Sequence, residues 1–448
     1  FFNVIPSEAR NPMWIFHCVA FRMTQFITRY SFIHAALLLP FVFSENLSFT
    51  MQRSPFVILF FTVFLDLVGF GIVLPLLPNY ARELGATPLE IGIIAGSYSV
   101  MQFFFSPIWG GISDKIGRRP VILISIATSV VSYFLFSQSH SLWFVFISRV
   151  LAGIGSANVT VTQAYITDIT DRKNRSKSLG ILGAAFGLGF VLGPPIGGAI
   201  KTQVGIEAVG YVAAMLTLLD LVLAYFFLPE SLKEKKPHAE FRFFSVISFS
   251  KAFQEPAIAR LLVVNFCFTF AFVNMQITVP LLWKEHYAQT EQNIGFLFAF
   301  IGVVSVIVQG GLIGKFTKRF GEREVLTGGI AVMMLGIGFL PFVPEQGLMS
   351  VGLMVLVLIA MGNGFCTPTN TALVSLYANP SEQGETLGIL QSVGSLARMF
   401  GPVSGSLLYG FEYHAPYLVG GMALVFCLLL SATLFKFEQH PHQEASAS

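Results

Sequence analysis

From Pro55 onward the chain is a succession of apolar runs of about 20 residues, the length a membrane-spanning helix needs. They cover 55–78, 89–110, 120–138, 142–167, 178–200 and 206–228, then 259–283, 292–313, 324–343, 349–373, 385–409 and 414–436. Charged residues make up 11% of the sequence, whereas a water-facing domain carries roughly 25%, so the solvent of this chain is expected to be mostly lipid. The predicted class is an all-α membrane protein with twelve transmembrane helices.

The runs repeat. Between the second and third stands the basic hairpin Gly110–Arg119, GGISDKIGRR, and a second version, GKFTKRFGER, starts at Gly314, an offset of 314 − 110 = 204 residues. Ser178-Leu-Gly180-Ile-Leu182 recurs as Thr386-Leu-Gly388-Ile-Leu390, and Gly193-Pro194 recurs as Gly401-Pro402, an offset of 402 − 194 = 208. Two pseudo-symmetric six-helix bundles are expected, over 51–228 and 259–436, joined by a basic linker at 229–258 and followed by a tail at 437–448. Residues 1–50 are expected to be a non-native or disordered extension, with Phe32–Phe43 as a weak further membrane segment in the alternative.

Lysine and arginine crowd alternate loops, with Lys115, Arg118, Arg119, Arg172, Lys173, Arg175, Lys177, Lys315, Lys318, Arg319 and Arg323 on one side, and only Arg82, Lys201 and Lys284 on the other. By the positive-inside rule both termini are cytoplasmic. The formal net charge is only +3, and no basic surface suited to nucleic acid is present. Cys18, Cys267, Cys366 and Cys427 form no metal-ligand spacing. There is no HExxH, GxSxG or Walker loop, so neither an enzyme nor an ATP-driven pump is expected.

Three features carry chemistry. In the hairpin, Asp114 and Arg118 are four residues apart and can pair. Gly180, Gly189, Gly193, Pro194, Gly197 and Gly198 fit G-x8-G-x3-G-P-x-x-G-G; small residues four apart let another helix approach closely. Asp66 lies near the middle of the first run, where insertion of an acid costs roughly 3 kcal/mol, so it must be protonated or partnered, and an acid that alternates between those states is suited to proton coupling. Arg149 is the best intramembrane cation and is expected to tune Asp66; Asp220 is a second buried acid. Gln102, Asn158, Gln163, Asn274, Gln276, Gln309, Asn363, Asn370, Gln391 and Arg398 are candidates to line a cavity.

The hairpin residues Gly110, Asp114, Gly117, Arg118 and Arg119 match the signature G-x-x-x-D-x-x-G-R-R, and over 55–436 the chain resembles the major facilitator superfamily. The glycine series resembles the antiporter signature of helix five, and FLDLVGFGIVLPLLP resembles the first helix of drug:proton antiporters, tetracycline efflux pumps included. The resemblance implies a conformational latch in which Asp114 faces the start of helix eleven and Asp168 joins Arg118. It also places Arg149 toward a central cavity. Protons as the coupling ion with no other cofactor, export of small amphipathic organic compounds, a monomer and a bacterial inner membrane are expected; a metabolite symporter or facilitator is the alternative. Tetracycline pumps carry further acids in helices three and nine and a histidine in helix eight. Ser132, Met333 and Ser305 stand at those places here, so tetracycline itself is not expected to be the cargo.

Overall fold

In hydrocarbon every backbone polar group must be paired within the protein, and a helix does so inside one segment. The computed structural model describes residues 55–436 apart from 157, 171–174, 233–245 and 380–382, and all the described regular structure is helical. The extension at 1–50 and the tail at 437–448 lie outside the described residues.

Twelve long helices occur among them: α1 (Phe56–Glu83), α2 (Pro88–Ile116), α3 (Arg118–Ser137), α4 (Leu142–Ile169), α5 (Arg175–Gln203), α6 (Ile206–Phe227), α7 (Pro256–Glu285), α8 (Glu291–Phe320), α9 (Glu322–Phe342), α10 (Ser350–Tyr377), α11 (Gln383–Phe411) and α12 (Ala415–Phe435). Ten are long and apolar enough to cross a membrane; α5 and α11, of 29 residues each, carry the glycine series and its repeat. A short helix, Val246–Gln254, precedes α7.

The duplication read from the sequence recurs in the packing. Thr87 and Thr290 both accept a hydrogen bond at the N-cap position, Thr87 of α2 and Thr290 of α8. A Cβ placed at Gly92 of α2 would stand 2.8 Å from the Pro402 carbonyl oxygen of α11, and one at Gly295 of α8 would likewise press on the Pro194 carbonyl of α5. Thus α2 lies along α11 and α8 along α5, and α7 lies along the opposite face of α11. Separate apolar cores fill each set, one around Ile72, Tyr133, Phe136 and Val209, the other around Phe268, Trp283, Met333 and Tyr417.

The hairpins are tighter than the sequence suggests. The apolar run ends at Gly110, but α2 continues to Ile116 and α3 begins at Arg118, so Gly117 alone makes the turn. Asp114 and Lys115 are polar, yet a helix end projecting from the bilayer tolerates them. Gly117 has φ 116° and Gly321, its counterpart between α8 and α9, has φ 92°, a backbone region that glycine alone enters at no steric cost. In α8 the residues Val308–Leu312 form a π-helical turn, which places Gln309 in a widened stretch.

Candidate functional site

The centre of the first six helices holds a cluster of polar side chains. A Cβ at Gly69 of α1 would lie 3.2 Å from the Tyr133 ring of α3 and 3.3 Å from the Thr217 hydroxyl of α6. One turn from those residues on their own helices stand Asp66 and Asp220, and the two acids lie within electrostatic range of each other. Asp220 is fully buried with the Thr62 hydroxyl of α1 beside it. Arg149 of α4 is 3% exposed; its guanidinium lies over Phe136 at 5.4 Å and Tyr133 at 5.9 Å. Tyr98 and Tyr133 each lie within electrostatic range of both Arg149 and Asp66.

The glycine series forms a seam with two faces. Gly189, Gly193 and Gly197 face α1; a Cβ at Gly189 would stand 2.6 Å from Leu67 Cβ, one at Gly193 2.8 Å from Gly71 Cα, and one at Gly197 would press on the Ile72 carbonyl. Pro194 and Gly198 face α8 at Gly295 and Glu291. Gly180 lies on the first turns of α5. The degenerate copy in α11 does the same with α7, where Gly401 and Gly405 meet Val273 and Asn274.

At the hairpin end Arg118 is the hub. It donates to Asp114 at 2.7 Å, Asp168 at 2.9 Å and the Ser113 hydroxyl at 2.6 Å. Glu230, just past α6, accepts from the backbone N–H of Arg118 at 2.9 Å and of Arg119 at 3.2 Å, so it caps α3. Ser231 donates to Asp168, Tyr165 to the Pro229 carbonyl, and Arg119 to the Tyr225 carbonyl. Pro229–Ser231 read as linker in the sequence and is instead part of this cluster. Removing the cap by Glu230→Ala is expected to lower stability by about 0.5–2 kcal/mol. Thermal unfolding of the detergent-solubilised protein checks this, and an unchanged midpoint would show that the cap is idle. The Asp114 side chain is 39% exposed and bound to Arg118, and the close approaches of α2 to α11 lie at the other end, at Pro88, Gly92 and Gly96.

That far end holds a second charged cluster. Lys201 of α5 binds Glu83 at 2.9 Å and Glu291 at 3.2 Å; Lys284 of α7 binds the same two acids at 2.6 and 2.8 Å. Asn79 donates to Glu291 and to the Pro280 carbonyl, and Arg82 pairs with Glu285 at 3.4 Å. The three far-side cations therefore all bridge the first six helices to the last six. Toward the hairpin end an added Cβ at Gly110, Gly183, Gly310, Gly314 or Gly388 would meet nothing within 4 Å.

The polar candidates differ in burial and in partners. Asn274 is fully buried and donates to Ser404 within the α7–α11 seam, so it joins helices. Asn370 is fully buried with its amide unpartnered. Gln163, Gln309 and Gln391 are exposed; Gln102, Gln276, Asn363 and Arg398 are half-buried; the Asn158 side chain lies outside the described residues. Arg398 donates to Ser395 at 3.1 Å.

Twelve long helices among the described residues, ten of them long and apolar enough to cross a membrane, with a duplicated packing scheme and buried polar groups between them, are the marks of a membrane transporter. The model of the Major Facilitator Superfamily matches residues 59–402 and 278–448, and the chain belongs to that family. It is 32% identical over 392 residues to the class C tetracycline resistance protein of Escherichia coli, covering 84% of this chain and 96% of that one. It is 26% identical over 384 residues to multidrug resistance protein 2 of Bacillus subtilis (strain 168), covering 84% and 94%. In three dimensions it is similar to the human organic anion transporter MFSD10 (TETRAN), with a TM-score of 0.63 and 24% identity over 85% of this chain and 99% of that one. The protein is a multi-pass membrane transporter of small molecules.

Proposed function

We propose that this transporter is a proton-coupled antiporter that exports small amphipathic organic compounds by alternating access. The observation that carries the reading is the packing of Gly69 of α1 on Thr217 of α6, which brings together the helix turns that hold Asp66 and Asp220. Ionisable groups within a membrane are expensive and serve transport or relay roles, and two neighbouring carboxyls resist simultaneous ionisation. A proton is then held there until substrate or an opened path displaces it. The names of the tetracycline and multidrug resistance relatives support export as the direction.

The basic hairpin end is the cytoplasmic end on this reading, and the far-end charged cluster then ties the two halves together on the outer side. Release of the far-end cluster would accompany the switch outward, the two halves rocking about the central site. Glu291→Gln removes the acid that both lysines and Asn79 share. Charged hydrogen bonds of this kind contribute about 1.5–3 kcal/mol, so the outward-open population should rise roughly tenfold. Distance distributions between spin labels at Val204 and Phe342, both exposed, check this: a new longer component is expected, and unchanged distances would remove the cluster from the gating scheme. The export reading itself is tested by expressing the protein in a pump-deficient bacterium against a panel of amphipathic antimicrobials. Raised tolerance to some members supports it, and lowered tolerance, the mark of uptake, goes against it.

A further inference from the structure

The second hairpin keeps its cations but not the acids that bind them in the first. In the first, Arg118 is held by Asp114 and Asp168, and Arg119 donates to the Tyr225 carbonyl. In the second, Lys318 stands where Asp114 does, 318 − 114 = 204, and Glu322 stands where Arg118 does, 322 − 118 = 204. Lys315, Lys318 and Arg319 are exposed, and among the described residues none of the three forms an ion pair. The two acids that follow, Glu322 and Glu324, lie beyond the turn, in the first turn of α9, where the helix dipole favours carboxylates. Glu324 folds back over Gly321, where an added Cβ would stand 2.5 Å from its Oε2. Arg323 donates to the Tyr377 hydroxyl of α10.

The three cations stand at the membrane surface. Helix α8 has 30 residues, about 45 Å at 1.5 Å per residue, which is the thickness of a bilayer with its headgroups. Its apolar run ends near Ile313, so the last two turns, Ile313–Phe320, emerge at headgroup level. Lys315, Lys318 and Arg319 are three and four residues apart and share one side of these turns. Phe316 and Phe320 share another; their rings are 5.8 Å apart, and the Phe316 ring lies 5.3 Å from Phe365 of α10. That contact fixes the rotation of the helix end and leaves the cations turned outward. Both rings also keep an exposed edge, 38% for Phe316 and 50% for Phe320, and the Arg319 guanidinium lies 5.3 Å from the Phe320 ring.

We propose that Lys315, Lys318 and Arg319 form a binding site for the phosphate headgroup of an anionic phospholipid, with Phe316 and Phe320 against the start of its acyl chains. Phosphate oxygens accept charged hydrogen bonds from several donors at once, and three cations within two turns supply them. Near an anionic leaflet each Lys or Arg strengthens attachment about fivefold, so three together give about a hundredfold. A membrane lipid is the occupant because the cations stand at headgroup level and are bordered by exposed rings; a free phosphate would use the charge alone. The first hairpin, whose Arg118 is answered from within, offers no such site. Neither export nor proton coupling is needed for this binding.

The test is native mass spectrometry of the detergent-solubilised full-length protein titrated with dioleoylphosphatidylglycerol or dioleoylphosphatidylcholine, which share their acyl chains and differ in headgroup charge. The first phosphatidylglycerol should bind at least about tenfold more tightly than the first phosphatidylcholine. Joint Lys315→Gln, Lys318→Gln and Arg319→Gln substitution should bring phosphatidylglycerol to the phosphatidylcholine level and leave phosphatidylcholine binding unchanged, which also reports an intact fold. Lys315→Arg, Lys318→Arg and Arg319→Lys together should keep the preference. So should Lys251→Gln, at an exposed cation on the short helix before α7. Equal binding of the two lipids, a preference that survives the triple glutamine substitution, or loss of both lipids alike in that variant would each overturn the site. A Lys251→Gln loss as large as that of the triple variant, or displacement of phosphatidylglycerol by excess inorganic phosphate, would do the same.

Discussion

Asp66→Asn is expected to abolish substrate-driven proton movement while leaving the protein folded. The substitution keeps the size of the side chain and removes its capacity to exchange a proton. Asp66 is half-buried on α1, facing α6 and α3 beside Asp220 and Tyr133, so no large cavity or strain accompanies the change and stability should move by less than about 1 kcal/mol. Downhill substrate exchange across proteoliposomes should persist, because binding and rocking do not need the proton, whereas uphill export should be lost. Asp220→Asn tests the neighbour in the same assay. If Asp66→Asn retained full uphill export, the coupling site would have to be sought elsewhere in the molecule.

The second large effect is steric. Gly193→Val drives a branched side chain into the backbone of α1, where even a Cβ stands 2.8 Å from Gly71 Cα and 2.9 Å from the Val68 carbonyl oxygen. Backbone atoms cannot swing aside as a side chain can, and overpacking of this kind costs about 1–3 kcal/mol or more. The displacement also carries Asp66, which is on the same helix, away from α6. Loss of transport together with a lower unfolding midpoint is the expected outcome. Gly338→Ala on α9, where an added Cβ meets nothing within 4 Å, should leave both unchanged. A Gly193→Val protein with normal transport would mean that α1 and α5 need not approach so closely.

The spanning helices and their duplication were legible because each is a local pattern: about 20 apolar residues, a basic hairpin, a glycine spacing. What joins distant segments was not. Glu230 caps α3 from 112 residues away, and nothing in the run LPESLKEKKPH distinguishes it from other linker acids. Lys201 and Lys284 were visible as topology signals, but their shared acids, Glu83 and Glu291, become partners only when α1, α5, α7 and α8 meet. Asp66 and Asp220 were each picked out as buried acids, yet their adjacency depends on how α1 and α6 cross at Gly69 and Thr217. Asn274 shows the converse: a polar residue in an apolar run suggests a pathway, but the packing of α7 on Gly405 of α11 makes it an interhelical contact. The hairpin misled about helix length, since a charged stretch at a membrane surface is compatible with continued helix.

The central claim is that substrate leaves in exchange for protons through the cluster at Asp66. Its most direct measurement is the pH inside everted membrane vesicles, acidified beforehand and reporting through a pH-sensitive dye, when a compound to which the transporter confers tolerance is added outside. The account predicts alkalinisation of the lumen that saturates with the compound, is absent from vesicles lacking the transporter and is lost in Asp66→Asn. A lumen that acidifies further on addition of the compound, or alkalinisation of equal size in Asp66→Asn, would contradict it.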